Sequence, residues 1–180
     1  MLLILTGKTA SGKDTIMKAL LSRYTNLKRI TSTTSRAKRF GEQAGFDYHF
    51  VSREEFERKI ENGDFLEYVE YGGNFYGTEK SQIKENQDLI WRIDPSRAAK
   101  VRDLIKEKVL VIYINIADEI ALERLKARGL APDEIAKRMA DDRKIWEQYK
   151  NSYDFVVENV PGKLNECLNN IVTLIESHAR

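Results

Sequence analysis

The sequence predicts an α/β protein built on a parallel sheet, and three observations predict it. Strand-like and helix-like segments alternate almost from end to end, the order that gives parallel strands joined by crossover helices. Val109–Ile116 is a continuous apolar run, as expected of a strand covered on both faces. Near residues 33 to 80 the pattern changes to short strands around a Gly-Gly pair, which points to an antiparallel insertion in the parallel core. At 180 residues, a single hydrophobic core is expected. Thirty Lys and Arg against 28 Asp and Glu leave a net charge of +2, which excludes holding nucleic acid by charge density alone. Cys167 is the only cysteine, so an internal disulfide and a cysteine-based zinc site are excluded. No run approaches the ~20 apolar residues of a membrane span. The opening Met1-Leu2-Leu3-Ile4-Leu5 lacks a basic leader and stops at Thr6-Gly7, so a cytoplasmic protein is expected.

Taken in order, Met1 to Leu5 reads as a buried strand, followed by a glycine-bearing loop and a helix with Ile16, Met17, Leu20, Leu21 and Tyr24 on its apolar side. Leu27–Ser32 is a second short strand, and residues 33–46 are a basic loop. Ser52 and Glu55 form a capping box for a helix carrying Phe56 and Ile60 that ends at Asn62-Gly63. Phe65–Tyr71, Gly72-Gly73 and Asn74–Tyr76 read as a hairpin with a two-residue turn. Leu89–Ile93 is a strand ending at Asp94-Pro95-Ser96, and Val101, Leu104 and Ile105 mark the next helix. After the apolar strand, Asp118 is expected to cap a helix through Leu122 and Leu125 that ends at Arg128-Gly129. Pro132 opens a charged helix to about Lys150, with Ile135, Met139, Trp146 and Tyr149 as its sparse apolar side. Phe155–Asn159 is the last strand, and Leu164, Cys167, Leu168, Ile171 and Leu174 line the closing helix.

Gly7-Lys8-Thr9-Ala10-Ser11-Gly12-Lys13 stands between the first strand and the first helix. In that position the backbone N–H groups, the helix N-terminus and the lysine converge on a triphosphate. Gly7, Lys8, Thr9, Ala10, Ser11, Gly12, Lys13, Asp14 and Thr15 are therefore the candidate ATP site of a P-loop core. The standard loop follows its lysine with a Ser or Thr that ligates Mg²⁺, but here Asp14 stands there. A carboxylate is also a hard oxygen ligand, which makes Asp14 the candidate metal residue. Thr15 points about 100° away along the helix and does not substitute.

Arg36 and Arg39 lie three apart in the basic loop, a spacing that can aim two guanidinium forks at one phosphate. Ser32, Arg36, Arg39, Gly41 and Glu42 are followed by Gly45, Asp47, Tyr48 and Phe50, then Phe65-Leu66-Glu67, then Tyr76-Gly77-Thr78. In order and spacing these residues resemble the guanylate kinase family, whose signature runs S-x-T-T-R-x-x-R-x-G-E, G-x-D-Y-x-F, F-L-E and Y-G-[ST]. With the phosphate loop and the arginines after residue 120, the resemblance spans essentially the whole chain.

The resemblance implies a P-loop NTPase core of nucleoside monophosphate kinase type at 1–32, 79–124 and 151–180. It implies a small mixed α/β GMP-binding insertion at 33–78 and a helical lid at 125–150. The activity implied is ATP-dependent phosphorylation of GMP and dGMP, with Mg²⁺ accompanying ATP and neither nucleic acid nor membrane as partner. Family positions put Arg36, Arg39, Tyr48 and Tyr76 on the GMP phosphate, and Ser32, Glu67, Thr78 and Asp94 at or near guanine. Glu67 suits that role because a carboxylate can accept from both N1–H and the 2-amino group, where adenine offers no donor. Lys13 and the lid arginines Arg128 and Arg138 would carry the transfer, and Arg143 has no firm counterpart.

Some positions depart from the family. Ser35 and Lys38 replace Thr and Pro, and Arg92-Ile93-Asp94 stands where Asp-x-Asp is usual. Gly12-Lys13-Asp14 also resembles the ribose 1,5-bisphosphate phosphokinases, and a non-catalytic guanylate-kinase-like interaction module is a third reading. Plainer roles stand beside these: a solvated lid helix held by pairs such as Glu134 with Arg138, structural or solvent-facing His49 and His178, a core Cys167, and Trp91 and Trp146 as packing groups, with Trp146 also placed for the lid hinge.

Overall fold

The computed structural model describes residues 1–84, 86–105 and 108–179. Its core begins with β1 (Leu2–Gly7), every residue of which is buried. Leu2 and Ile4 project to one face of the sheet and Leu3 and Leu5 to the other, so an unbroken apolar run serves two cores at once. Around β1 stand β2 (Lys28–Arg29), β7 (Leu89–Arg92), β8 (Val109–Asn115) and β9 (Phe155–Glu158), in the order β2-β7-β1-β8-β9 with all pairings parallel. One face is covered by α1 (Lys13–Arg23) and α6 (Leu164–Ala179), through Ile16, Met17, Leu20, Cys167 and Ile171. The other is covered by α3 (Pro95–Leu104), through Ala98 and Val101 beneath the fully buried Trp91.

The second sheet is mixed. It contains β3 (Thr33–Thr34), β4 (His49–Phe50), β5 (Phe65–Tyr71) and β6 (Asn74–Glu79) in the order β4-β3-β6-β5, with α2 (Arg53–Glu61) packed on β6. The Leu27–Ser32 strand of the sequence reading is shorter than expected. Only Lys28 and Arg29 join the core sheet, and four residues later the chain enters the second sheet at Thr33. Ser52 caps α2 by accepting from the Glu55 N–H. Gly72 and Gly73 both take positive φ, the backbone a two-residue hairpin turn needs. Phe56 stacks on Phe65 and Phe75 at centroid distances of 4.3 and 5.2 Å and is the small core of this unit.

After β8 come α4 (Asp118–Ala127) and α5 (Pro132–Tyr149), the latter resting on α4 through Leu125 and Ile135. Asp118 does not cap α4. The cap position is Ala117, and the Asp118 carboxylate is drawn instead into ion pairs with Lys8 and Arg143. At the far end of α5, Trp146 meets Tyr113 edge-on at 5.0 Å and stacks on Tyr153 at 5.9 Å, which pins that end to the parallel core.

Gly7 makes the close approach on which the end of β1 depends. Its φ is +135°, and a Cβ there would lie 2.2 Å from the Ile114 carbonyl oxygen of β8. Gly7→Ala is expected to cost about 2–4 kcal/mol, by thermal or urea unfolding. Gly63→Ala, where φ is +69° and nothing lies within 4 Å, is expected to cost about 1 kcal/mol. Equal losses would contradict the packing argument.

Candidate active site

Between β1 and α1 the chain makes a compact loop held from several sides. Ala10 sits in the left-handed region at φ 55° and its carbonyl accepts from Arg124 Nη1 at 2.9 Å. The Ser11 carbonyl accepts from Asn159 Nδ2 at 2.7 Å, and a Cβ on Gly12 would meet that same nitrogen at 2.5 Å. Lys8 turns away from the loop to the Ile116 carbonyl and the Asp118 carboxylate. Lys13 curls over its own loop, donating from Nζ to the carbonyls of Gly7 (2.9 Å) and Lys8 (2.7 Å) and to Ser11 Oγ (3.2 Å). Burial pushes its ammonium down to about 8, with Arg92 adding to the push and Asp142 and Asp14 opposing it.

The amide of Thr9 is already engaged. It donates at 2.9 Å to Asp142 Oδ2, a carboxylate from α5 whose pKa is raised by burial. An anionic oxygen thus already sits on an amide of the loop expected to bind phosphate. Beside the loop, Ala10, Gly12, Thr15, Arg124, Arg128 and Asn159 line one side of a cavity of about 260 Å³. Arg128 is exposed at the end of α4 and lies close enough to Lys13 to lower its pKa. Arg138 is not brought to the loop: both its Nε and Nη2 donate to Glu134 Oε1 on the same helix.

In the second sheet, Arg36 is gripped by both oxygens of Glu42 at 2.8 and 3.1 Å, and its guanidinium lies 5.5 Å from the Tyr48 ring. Glu42 holds the Arg36 pKa above its ordinary value and is itself held low by Arg36. Tyr48 and Tyr76 meet edge-on at 6.0 Å. Arg39 gives its backbone N–H to Glu42 and is otherwise exposed. Arg36, Tyr48 and Tyr76 are therefore brought together, with Arg39 at their rim.

The four residues read as base contacts converge on a fifth. Glu67, on β5, is buried and pairs with Arg97 of α3: Arg97 Nε donates to Oε2 at 2.6 Å and Nη2 to Oε1. Nη2 also reaches Thr78 Oγ1 at 3.3 Å, which in turn lies 3.1 Å from Ser32 Oγ. Asp94 caps α3, accepting from the N–H groups of Ser96 and Arg97.

Residues 1–178 match the family model described as guanylate kinase. The chain belongs to the guanylate kinase family. A protein named guanylate kinase from Symbiobacterium thermophilum is 39% identical over 164 residues, covering 88% of this chain and 77% of its own length. One of the same name from Fusobacterium nucleatum is 32% identical over 180 residues, covering 98% and 96%. The crystal structure of guanylate kinase from Anaplasma phagocytophilum superposes with a TM-score of 0.74 at 28% identity, covering 98% of this chain and 84% of that one.

The two positions read from the sequence as departures answer each other. Asp14 and Arg92 form a two-point ion pair, Nε to Oδ1 at 3.1 Å and Nη1 to Oδ2 at 3.2 Å. The acid beside the phosphate loop is met by the base at the end of β7. For Mg²⁺ the described residues hold no cluster of three His, Cys, Asp or Glu, but the ion commonly takes one or two carboxylates and fills its shell with substrate phosphates and water. Asp14 is exposed enough to serve, with Arg92 as its competitor. Arg92 stands out in the sequence as a departure. Arg97, Arg124, Asp142 and Asn159 do not stand out as site residues, because they act across 30 to 148 residues of chain, where local spacing carries no signal.

Two expectations come from this geometry. Phosphate arriving at Lys13 restores its basicity, so ATP binding should take up protons, more at pH 8.5 than at pH 7. Calorimetry in buffers of different ionisation enthalpy measures this, and Lys13→Arg should abolish the rise. Asp142→Ala, which frees the Thr9 amide and removes a like charge, should tighten ATP binding about three- to tenfold. Weaker binding would mean that Asp142 does not stand where a phosphate oxygen goes.

Proposed function

We propose that the chain is a GMP kinase that moves the γ-phosphoryl group of ATP onto a phosphate oxygen of GMP, and of dGMP less well, releasing ADP. The observation that carries this reading is the stretch Arg92–Arg97 that follows β7, which touches both halves of the site: Arg92 pairs with Asp14 beside the phosphate loop, and Arg97 pairs with Glu67 of the second sheet. Two anions, one on each side of that stretch, would meet across it.

In this reading Lys13 and the loop amides hold the β- and γ-oxygens of ATP, with the donor adenosine in the cavity beside Gly12 and Arg128. Arg36, Arg39, Tyr48 and Tyr76 of the 33–78 unit hold the acceptor phosphate, and Ser32, Glu67, Thr78 and Asp94 face its base. Mg²⁺ at Asp14 would neutralise charge on the β/γ oxygens and fix their geometry. The acceptor phosphate is ionised near neutral pH, so in-line attack needs no side-chain base. Residues 125–150 act as the lid. Pivoting about Trp146, α5 would withdraw Asp142 from Thr9 as ATP enters and release Arg138 from Glu134 onto the migrating group, excluding water that would otherwise hydrolyse ATP. This reading places the enzyme in the cytoplasm, and no described helix is long and apolar enough to cross a membrane.

The two other readings of the sequence are less well supported. A sugar phosphate has no use for a buried base cluster, and an inert interaction module has no need of Lys13 with Arg128 beside it. The test is ADP release with ATP and Mg²⁺ over GMP, dGMP, AMP, UMP and ribose 1,5-bisphosphate. GMP should lead, and AMP should fall at least about 10³-fold behind in kcat/KM. Turnover of the sugar bisphosphate alone, or of AMP as well as GMP, would overturn the reading.

A further inference from the structure

Arg92 stands at a junction that the strand order creates. β7 lies between β1, which runs into the phosphate loop, and β2, from which the chain passes to the second sheet. On one side Arg92 is in register with Leu5, two residues before Gly7. On the other, Arg29 pairs with Ile90, so Arg29 and Arg92 stand two residues apart on one face of the sheet. That face is the one covered by α1, and Asp14 in the first turn of α1 takes up Arg92. The ring of Phe46 lies 4.3 Å from the Arg29 guanidinium, and two residues later Tyr48 meets Tyr76 in the cluster that also holds Arg36.

The hold on Arg92 is loose. Its Nε lies 3.1 Å from Asp14 Oδ1 but is buried without an aligned hydrogen bond, so Nη1 alone donates well, at 3.2 Å. The Asp14 side chain is 61% exposed. A carboxylate so well solvated holds a guanidinium weakly. Glu42, by contrast, grips Arg36 with both oxygens. Burial, and after it the charge of Arg92, depresses the pKa of both Lys13 and Arg29. Positive charge at this junction therefore exceeds what one exposed carboxylate offsets. A phosphate monoester brings more negative charge than Asp14 and matches the guanidinium fork.

We infer that Arg92 is a further acceptor-phosphate residue that exchanges partners: paired with Asp14 at rest, it leaves for the phosphate of the acceptor nucleotide and frees Asp14 as a hard oxygen ligand beside the donor. The exchange couples the two subsites. A cation that takes Asp14 releases Arg92, and by reciprocity an acceptor that takes Arg92 releases Asp14. This rests on the reading of Arg36, Tyr48 and Tyr76 as the acceptor-phosphate site.

The experiment is calorimetry of GMP binding, with and without Mg²⁺ and a non-hydrolysable ATP analogue. It compares the native protein, Asp14→Asn, Arg92→Gln and the double variant. Asp14→Asn sets Arg92 free, so GMP alone should bind about two- to fivefold more tightly. The double variant should lose that gain. With Mg²⁺ and the analogue present, Arg92→Gln should weaken GMP about tenfold or more, and any tightening of GMP by the analogue should shrink. An ion pair with a structural role only would instead weaken GMP alike in both single variants. Circular dichroism and thermal unfolding establish that each variant is folded. Where Arg92→Gln is not, Arg92→Lys takes its place, keeping the charge without the fork, and should lose part of the affinity. A gain in Asp14→Asn that survives in the double variant, or equal weakening by both single variants, overturns the exchange while GMP binding stands. Native protein that binds no GMP removes the acceptor reading and this inference with it.

Discussion

An ammonium group buried among carbonyls is the interaction from which the rest of this site follows. Lys13 Nζ is satisfied by the carbonyls of Gly7 and Lys8 and by Ser11 Oγ, all in the loop it is meant to serve. Such an arrangement requires the loop to close tightly on itself. Closure requires Gly7 to pass within contact of β8 and Gly12 to pass Asn159. It also requires a parallel strand to feed directly into a helix, so that amides and helix dipole share one focus. The parallel order β7-β1-β8 is therefore what shapes the loop.

The stretch from Arg92 to Arg97 joins the two halves of the site. It leaves the C-terminal end of a core strand, where open α/β sheets collect their ligands. Arg92 reaches back to Asp14 beside the phosphate loop, Asp94 caps the helix that follows, and Arg97 reaches forward to Glu67 in the second sheet. Each arginine answers an acid in a different subsite. A small rotation of the second sheet against the core must work against the Glu67–Arg97 pair.

Where the sequence was read correctly, the signal was local. The strand, loop and helix around Gly7 and Lys13, the buried run of β8, the Ser52 cap and the Gly72-Gly73 turn each depend on neighbours within a few residues. Asp118 was misread because its cap position was judged from its own helix, whereas Lys8, 110 residues away, competes for the same carboxylate. Asp142 and Arg97 were invisible for the same reason. Nothing in a charged helix marks one aspartate as the partner of a loop amide, and an arginine after Asp-Pro-Ser reads as surface until β5 delivers Glu67 beneath it. The family resemblance located Glu67 but said nothing of the residue that occupies its fork.

The proposed reaction needs two anion sites that face each other across the Arg92–Arg97 stretch and close on one transfer. A single molecule in which adenosine and guanosine are joined 5′ to 5′ by five phosphates tests it most directly. If both sites exist and face each other, calorimetry should give one molecule per chain, bound at least about 10²-fold more tightly than ATP or GMP alone. Binding no tighter than ATP, or two molecules per chain, would contradict the account.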